Sequence, residues 1–172
     1  GQLYEDAKRH NCVFVGFENG TAKYASLRGT LSHSTFVGEV AGSDKRYSFC
    51  MPLQANNRES VCVFESAIDA LSYLSILKRK GQNWRSANCL SLSGIYRPKA
   101  GAELQHNPGI QKIILCLDND ERGREAAQAL QQCLHGYQVL DNPPPKGKDY
   151  NDYLQIQKGI AGRVKTRRGE ER

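Results

Sequence analysis

The sequence predicts an α/β fold: a mostly parallel four-stranded sheet with flanking helices, preceded by a small antiparallel β subdomain. Three observations carry this. From residue 60 onward, short apolar runs alternate with amphipathic stretches at helical spacing, the pattern of strands joined by right-handed helical crossovers. Between residues 11 and 51 the pattern is instead all-β, with an Asn-Gly hairpin signal and a second turn composition between short β segments. Asn142-Pro143-Pro144-Pro145 forces a loop, because three consecutive prolines fit neither a helix nor a central strand.

Taken in order, residues 12–17 and 21–27 flank Glu18-Asn19-Gly20, and Asn-Gly is the strongest short hairpin signal. Two further β segments, residues 34–40 and 45–51, follow, separated by the turn composition Ala41-Gly42-Ser43-Asp44. This region is too short for a large core of its own, so it should pack on the α/β half of the chain. Residues 61–64 form a continuous apolar run, as in a strand covered on both faces. Residues 66–80 read as a helix with Ala67, Ala70, Leu71, Leu74 and Leu77 in one stripe and Gly81 as its stop. Further strands are expected at 89–92, ending at Ser93-Gly94, at 112–117 and at 137–140, with helices at 121–134 and 149–157. The predicted organisation is a β-rich subdomain over 1–57, an α/β domain over 58–158, and a flexible basic tail over 159–172.

The chain has 172 residues, 39% hydrophobic and 24% charged, ordinary values for a globular protein. No apolar run approaches the roughly 20 residues needed to span a bilayer. The first residues lack the layout of a signal peptide, and the chain opens on Gly1, so a fragment or processed chain is expected. The net charge is +6. Much of it lies in Lys158, Arg163, Lys165, Arg167, Arg168 and Arg172, which would attract phosphate backbones; the alternative is a solvated end. The six cysteines form no C-x-x-C pair, and no histidine pair sits at zinc-finger spacing. They are expected to be reduced and structural, which implies a cytoplasmic protein. Trp84, between Asn83 and Arg85, could stack on a nucleic-acid base or simply be buried at a helix end.

In parallel sheets ligands bind at the carboxyl ends of the strands. Glu65 follows the first α/β strand, Asp118 the third, Asp120 lies two residues on, and Asp149 follows the fourth. Clustered carboxylates are costly unless a cation neutralises them, and hard oxygen donors without histidine or thiolate select Mg²⁺ or Mn²⁺. Asp118 and Asp120, at i and i+2 of an extended segment, can share one ion. Taken singly, Asp120 could be a helix cap and Glu65 a surface carboxylate.

Phe64-Glu65-Ser66-Ala67-Ile68-Asp69-Ala70 resembles the first motif of the Toprim family, and Asp118-Asn119-Asp120-Glu121-Arg122-Gly123 its D-x-D-x-x-G element. Leu90-Ser91-Leu92-Ser93-Gly94 is similar to the small-residue turn after the family's second strand. Lys148-Asp149-Tyr150-Asn151-Asp152 is similar to the K-D-x-N-D/E segment of primase-like members. The resemblance covers roughly residues 58–155, and Ser66 stands where primase-like members usually have glycine. The segments 24–29 and 38–45 resemble the small domain preceding Toprim in uncharacterised proteins of bacterial mobile elements.

The resemblance implies Mg²⁺-dependent making or breaking of phosphodiester bonds, with Mn²⁺ an alternative ion. Asp118 and Asp120 would be the principal metal ligands, Asp149 a second-site ligand, and Glu65 a general acid or base or a third ligand. Asp69 would stand behind Glu65, unless it is a surface helix residue. Lys148 and Arg122 would contact phosphates, as would Arg167 and Arg168 in the tail. Three activities are compatible with it: primase-like nucleotidyl transfer, which the Lys148-to-Asp152 segment favours; a metal-dependent nuclease; or a nucleic-acid-binding module of a larger protein. The implied partners are DNA or RNA, nucleoside triphosphates, and other domains of a longer parent protein or a replication helicase.

Overall fold

A computed structural model of the chain describes residues 2–31, 36–51, 59–92 and 109–160. Two four-stranded sheets organise it. The first is antiparallel, in the order β1 (Leu3–Glu5), β2 (Cys12–Glu18), β3 (Thr21–Arg28), β4 (Val37–Glu39). The β2–β3 hairpin turns at Asn19 and Gly20, both with positive φ (48° and 79°), as a two-residue turn matched to strand twist requires. Strand β1 was not foreseen from the sequence; it pairs with β2 from Leu3↔Phe14 to Glu5↔Cys12.

The second sheet is parallel, in the order β6-β5-β7-β8, from β5 (Ser60–Phe64), β6 (Cys89–Ser91), β7 (Lys112–Leu115) and β8 (Gln138–Asp141). Helix α1 (Ala67–Arg79) follows β5, α2 (Glu121–Cys133) follows β7, and α3 (Tyr150–Gln157) follows β8. Each predicted strand and helix of this half is present, shifted by a residue or two at its ends. The central strands are apolar on both faces because both faces are covered. Val61, Val63, Leu115 and Leu117 pack with Ala126, Ala127 and Leu130 of α2. Cys62, Phe64 and Cys116 pack with Ala70 and Leu74 of α1 and with Tyr150 and Leu154 of α3. All six cysteines are free, three of them buried in or beside this sheet.

One expectation is overturned. Residues 45–51 form no regular strand beside residues 36–40. Instead β4 pairs with β3, and the chain crosses to the parallel sheet, where Cys50 bridges Leu90 in antiparallel sense. The Met51 amide donates to the Cys89 carbonyl and the Ser91 amide to the Phe49 carbonyl, at 2.8 and 2.9 Å. The cause is apolar. Phe49 is 1% exposed, wedged edge-on against Phe14 with ring centroids 5.4 Å apart, and clustered with Ala67 of α1. That cluster joins the two sheets, and the segment's backbone is satisfied by β6 rather than by its sequence neighbour.

No helix among the described residues is long and apolar enough to cross a membrane. Trp84 lies in a 3₁₀ turn (Trp84–Ser86) packed against the α1 side of the core, with the Arg85 guanidinium 4.4 Å from its ring centre.

Candidate functional site

The carboxyl ends of β5 and β7 open into a cleft of about 620 Å³ whose opposite wall is the antiparallel sheet. Tyr24, Ser26 and Arg28 alternate along β3 and so share one face of it. With Glu39 of β4 they face Glu65, Asp69, Asp118, Lys148 and Asp149. The Tyr24 hydroxyl donates to Glu39 at 3.2 Å, and Lys45 pairs with the same carboxylate at 2.8 Å.

Glu65 leaves β5 and accepts the Asp118 backbone N–H at 3.1 Å, so the ends of β5 and β7 are tied through this side chain. Ser66, where glycine was expected, caps α1: its hydroxyl accepts the Asp69 N–H at 3.3 Å and donates to the Asp69 carboxylate at 2.6 Å. Asp69 is not a surface residue. It is 6% exposed, accepts the Asn151 N–H at 3.2 Å from the start of α3, and has its carboxyl raised to about 7 by burial first, with Asp149 and Asp118 adding to the rise.

Asp118 is also held back from water. Burial, then the charge of Glu65, raises its carboxyl to about 6 against the pull of Lys148. Asp120 sits at the rim and caps α2, accepting the Gly123 N–H at 2.9 Å; that bond is the main reason its carboxyl lies below the usual range. The glycine of the D-x-D-x-x-G element has a steric cause. A Cβ on Gly123 would lie 2.1 Å from the Asp118 carbonyl oxygen, so only glycine lets α2 start this close to the strand end.

The segment after the prolines completes the site. Asp149 caps α3 by accepting the Asp152 N–H at 2.7 Å, and Asp152 in turn accepts the Lys148 N–H at 3.3 Å. Burial raises the Asp149 carboxyl. The Lys148 carbonyl accepts the Asn119 N–H at 2.6 Å, which fastens this loop to the D-N-D turn. From there the Lys148 ammonium lies 3.1 Å from Asp118 and 3.3 Å from Asp120, contacts that raise its own pKa.

Reading the sequence missed two residues here. Arg124, inside α2, donates to the carbonyl oxygens of Leu117 (3.1 Å) and Asp118 (2.9 Å) and pairs with Asp141 at 2.6 Å. It clamps the strand end that carries Asp118. Its only sequence signal was a cation in the first turn of a helix, where side chains point back over the preceding residues. Arg28 was also missed, because nothing local says that β3 faces the carboxylates. Of the predicted phosphate contacts, Lys148 lines the cleft. Arg122 is exposed near Asp120, outside the lining residues. Arg167, Arg168 and Ser93-Gly94 lie outside the described residues.

A divalent cation suits the donors at Asp118 and Asp120. They are carboxylate oxygens, and they already share a cation, the Lys148 ammonium. Among the described residues no group of three or more His, Cys, Asp or Glu side chains is arranged to enclose a metal. What is offered is two carboxylates with the remaining positions left to water and substrate oxygens, the way Mg²⁺ is commonly held.

A family model described as Toprim-like matches residues 62–154. The chain belongs to the Toprim-like family. A second family model, described as a protein of unknown function (DUF3991), matches residues 1–56 of this Toprim-like chain. A "65 kDa protein" of Zymomonas mobilis is 28% identical over 168 residues, 91% of this chain and 28% of that protein. An uncharacterized protein of Mycoplasma pneumoniae is 36% identical over 72 residues, 40% of this chain and 34% of that one. The chain therefore spans about a third or less of the curated relatives it matches. Among solved structures, the primase fragment of the bacteriophage T7 primase-helicase superposes with a TM-score of 0.63 at 18% identity, covering 92% of this chain and 63% of that one. The zinc-binding and RNA polymerase domains of Aquifex aeolicus primase give 0.61 at 15%, covering 92% and 43%. The RNA polymerase domain of Mycobacterium tuberculosis primase gives 0.61 at 15%, covering 92% and 57%. At such identities the likeness is one of fold, and it extends over both sheets.

Proposed function

We propose that this Toprim-like chain supports divalent-metal-dependent chemistry on nucleic-acid phosphodiesters, and that the reaction is primase-like nucleotidyl transfer. One observation carries the reading: Glu65 and Asp118, with Asp120 at the rim, meet at one cleft edge with the Lys148 ammonium between the two aspartates. Like charges gathered in this way repel, and a cation among them relieves that repulsion while leaving them ionised. The primase-like choice over a nuclease draws support from the Lys148-Asp149-Tyr150-Asn151-Asp152 segment and from a primase likeness that includes the antiparallel sheet.

In this reading Asp118 and Asp120 hold the Mg²⁺ or Mn²⁺, and Asp149 contributes its remaining oxygen to a second ion. The ion supplies charge stabilisation at the transferred phosphoryl group. Glu65 keeps one oxygen on the Asp118 N–H and would use the other to take or give a proton at the attacking or leaving oxygen. Asp69 holds the first turns of α1 and α3 in register through Ser66 and Asn151, which sets where Glu65 and Asp149 stand. Lys148 and Arg28, from opposite walls, provide positive charge for phosphates. Because the curated relatives are much longer, the chain would act as one module of a larger protein, working in the cytoplasm on DNA or RNA with nucleoside triphosphates.

A second reading has one observation in its favour. The chain spans 28% and 34% of the length of its curated relatives, which suits a nucleic-acid-binding module of a larger protein whose metal site is catalytically weak. A gel assay decides: single-stranded DNA with labelled nucleoside triphosphates, Mg²⁺ or Mn²⁺, and Asp118→Asn as control. New oligomers lost in the variant support nucleotidyl transfer, whereas shortened DNA indicates a nuclease. Binding that survives EDTA with no turnover indicates the module and overturns the enzymatic reading.

A further inference from the structure

We propose that Lys148 is the built-in counter-cation of the Asp118–Asp120 pair, holding the carboxylates together until a divalent cation displaces it, whereupon its ammonium turns into the cleft to meet a substrate phosphate. The inference rests on the proposed metal site and adds a coupling between metal and phosphate binding.

Four features converge on it. The ammonium touches both carboxylates at once, at 3.1 and 3.3 Å, so it occupies the region an ion shared by Asp118 and Asp120 would need. Asp118 is largely buried, and a cation in contact with both it and Asp120 offsets the cost of keeping the two carboxylates ionised together in a metal-free chain. The lysine main chain is pinned on both sides, by Asn119 N–H to its carbonyl at 2.6 Å and by its own N–H to Asp152 at 3.3 Å. Only side-chain torsions can therefore change, and the loop stays where it is. The side chain itself is 55% exposed, so its ion pairs are screened and readily exchanged. Contrast Arg124, whose guanidinium is fixed by two main-chain carbonyls as well as Asp141.

Lysine suits such a role because its ammonium is a compact point charge on a flexible stem. Lys148 already lines the cleft, so rotation away from the aspartates keeps its charge in the space a phosphate would enter. Metal binding and phosphate binding then favour one another, and by linkage the effect is reciprocal.

Two measurements on the full chain test this. Mn²⁺ titration followed by electron paramagnetic resonance compares wild type with Lys148→Met. Removing the competing charge should tighten Mn²⁺ binding by about fivefold or more, the worth of one unit-charge pair at contact distance even in bulk water. In the wild-type chain, acylation of Lys148 by an amine-specific reagent, read by mass spectrometry, should speed up when MgCl₂ is added, because its nitrogen is no longer held between the two carboxylates. Equal or weaker Mn²⁺ binding in Lys148→Met, or unchanged acylation under conditions where the metal binds, overturns the inference and leaves the metal site standing. Failure of both proteins to bind metal overturns the two together. If Lys148→Met does not fold, the wild-type acylation result decides alone.

Discussion

Arg124→Ala should destabilise the protein and loosen the proposed metal site together, although Arg124 touches no substrate in the proposed reading. In the wild type its guanidinium satisfies the carbonyl oxygens of Leu117 and Asp118 at 3.1 and 2.9 Å. Leu117 is 0% exposed, so water can replace that donor only poorly once it is gone. A hydrogen bond from a charged donor contributes about 1.5–3 kcal/mol, and with the arginine side chain 30% exposed the lower end applies to each. The Asp141 pair is 37% exposed on the acidic side and adds about 0–1 kcal/mol after screening. The expected loss is about 3–4 kcal/mol from these contributions, large against the roughly 5–15 kcal/mol of a typical domain. Urea unfolding followed through the single tryptophan, Trp84, gives the number, with Arg124→Met as the partner that keeps the apolar stem. Both variants should lower the midpoint at constant slope, and both should bind Mg²⁺ more weakly as the Asp118 strand end loosens. A loss below about 0.5 kcal/mol would show that the clamp carries no energy and would refute its role.

Gly123→Ala forces a Cβ to within 2.1 Å of the Asp118 carbonyl oxygen; the main chain must move, and a net loss of about 2 kcal/mol or more is expected in the same urea assay. Asp69 sets a pH signature: its carboxyl rises from 3.8 to about 7 on folding, so its contribution is full below the unfolded value and is lost as pH climbs through the folded one. The metal-free wild type should therefore lose stability between about pH 4 and pH 7, by up to about 4 kcal/mol at about 1.4 kcal/mol per unit. Asp69→Asn should flatten that decline without abolishing it, since Asp118 titrates in the same window at about 6; an unchanged slope would remove Asp69 as its source. The double variant Asp118→Asn, Asp120→Asn should stay folded, because asparagine caps α2 nearly as well, yet lose Mg²⁺ binding by calorimetry; retained affinity would sink the metal site. Glu65→Gln keeps an acceptor for the Asp118 N–H and should reduce turnover far more than Mg²⁺ affinity, whereas equal losses would make Glu65 a ligand.

What the amino-acid order determined alone was everything set by short-range periodicity and by residues with special backbone chemistry. Asn19-Gly20 specified a two-residue turn because both positions need positive φ. The apolar runs at β5 and β7 announced a sheet covered on both faces, and strand direction then placed Glu65 and Asp118 at its carboxyl edge. Tertiary structure decided which distant groups satisfy one another. Residues 49–51 looked like the end of a β segment following residues 34–40 in a small β subdomain, but Phe49 finds Phe14 and Ala67, and the edge of β6 accepts the backbone. Asp69 looked like any helix aspartate until α3 closed over it and its carboxylate received Ser66 and Asn151. Arg124 and Lys148 each take partners from two other elements, so their roles exist only once β7, β8 and the loop before α3 stand together. The physical reason is common to all four. A turn or an amphipathic stripe is specified within a few residues, whereas the partner of a buried charge or an open strand edge is whichever group the finished packing brings within about 3 Å.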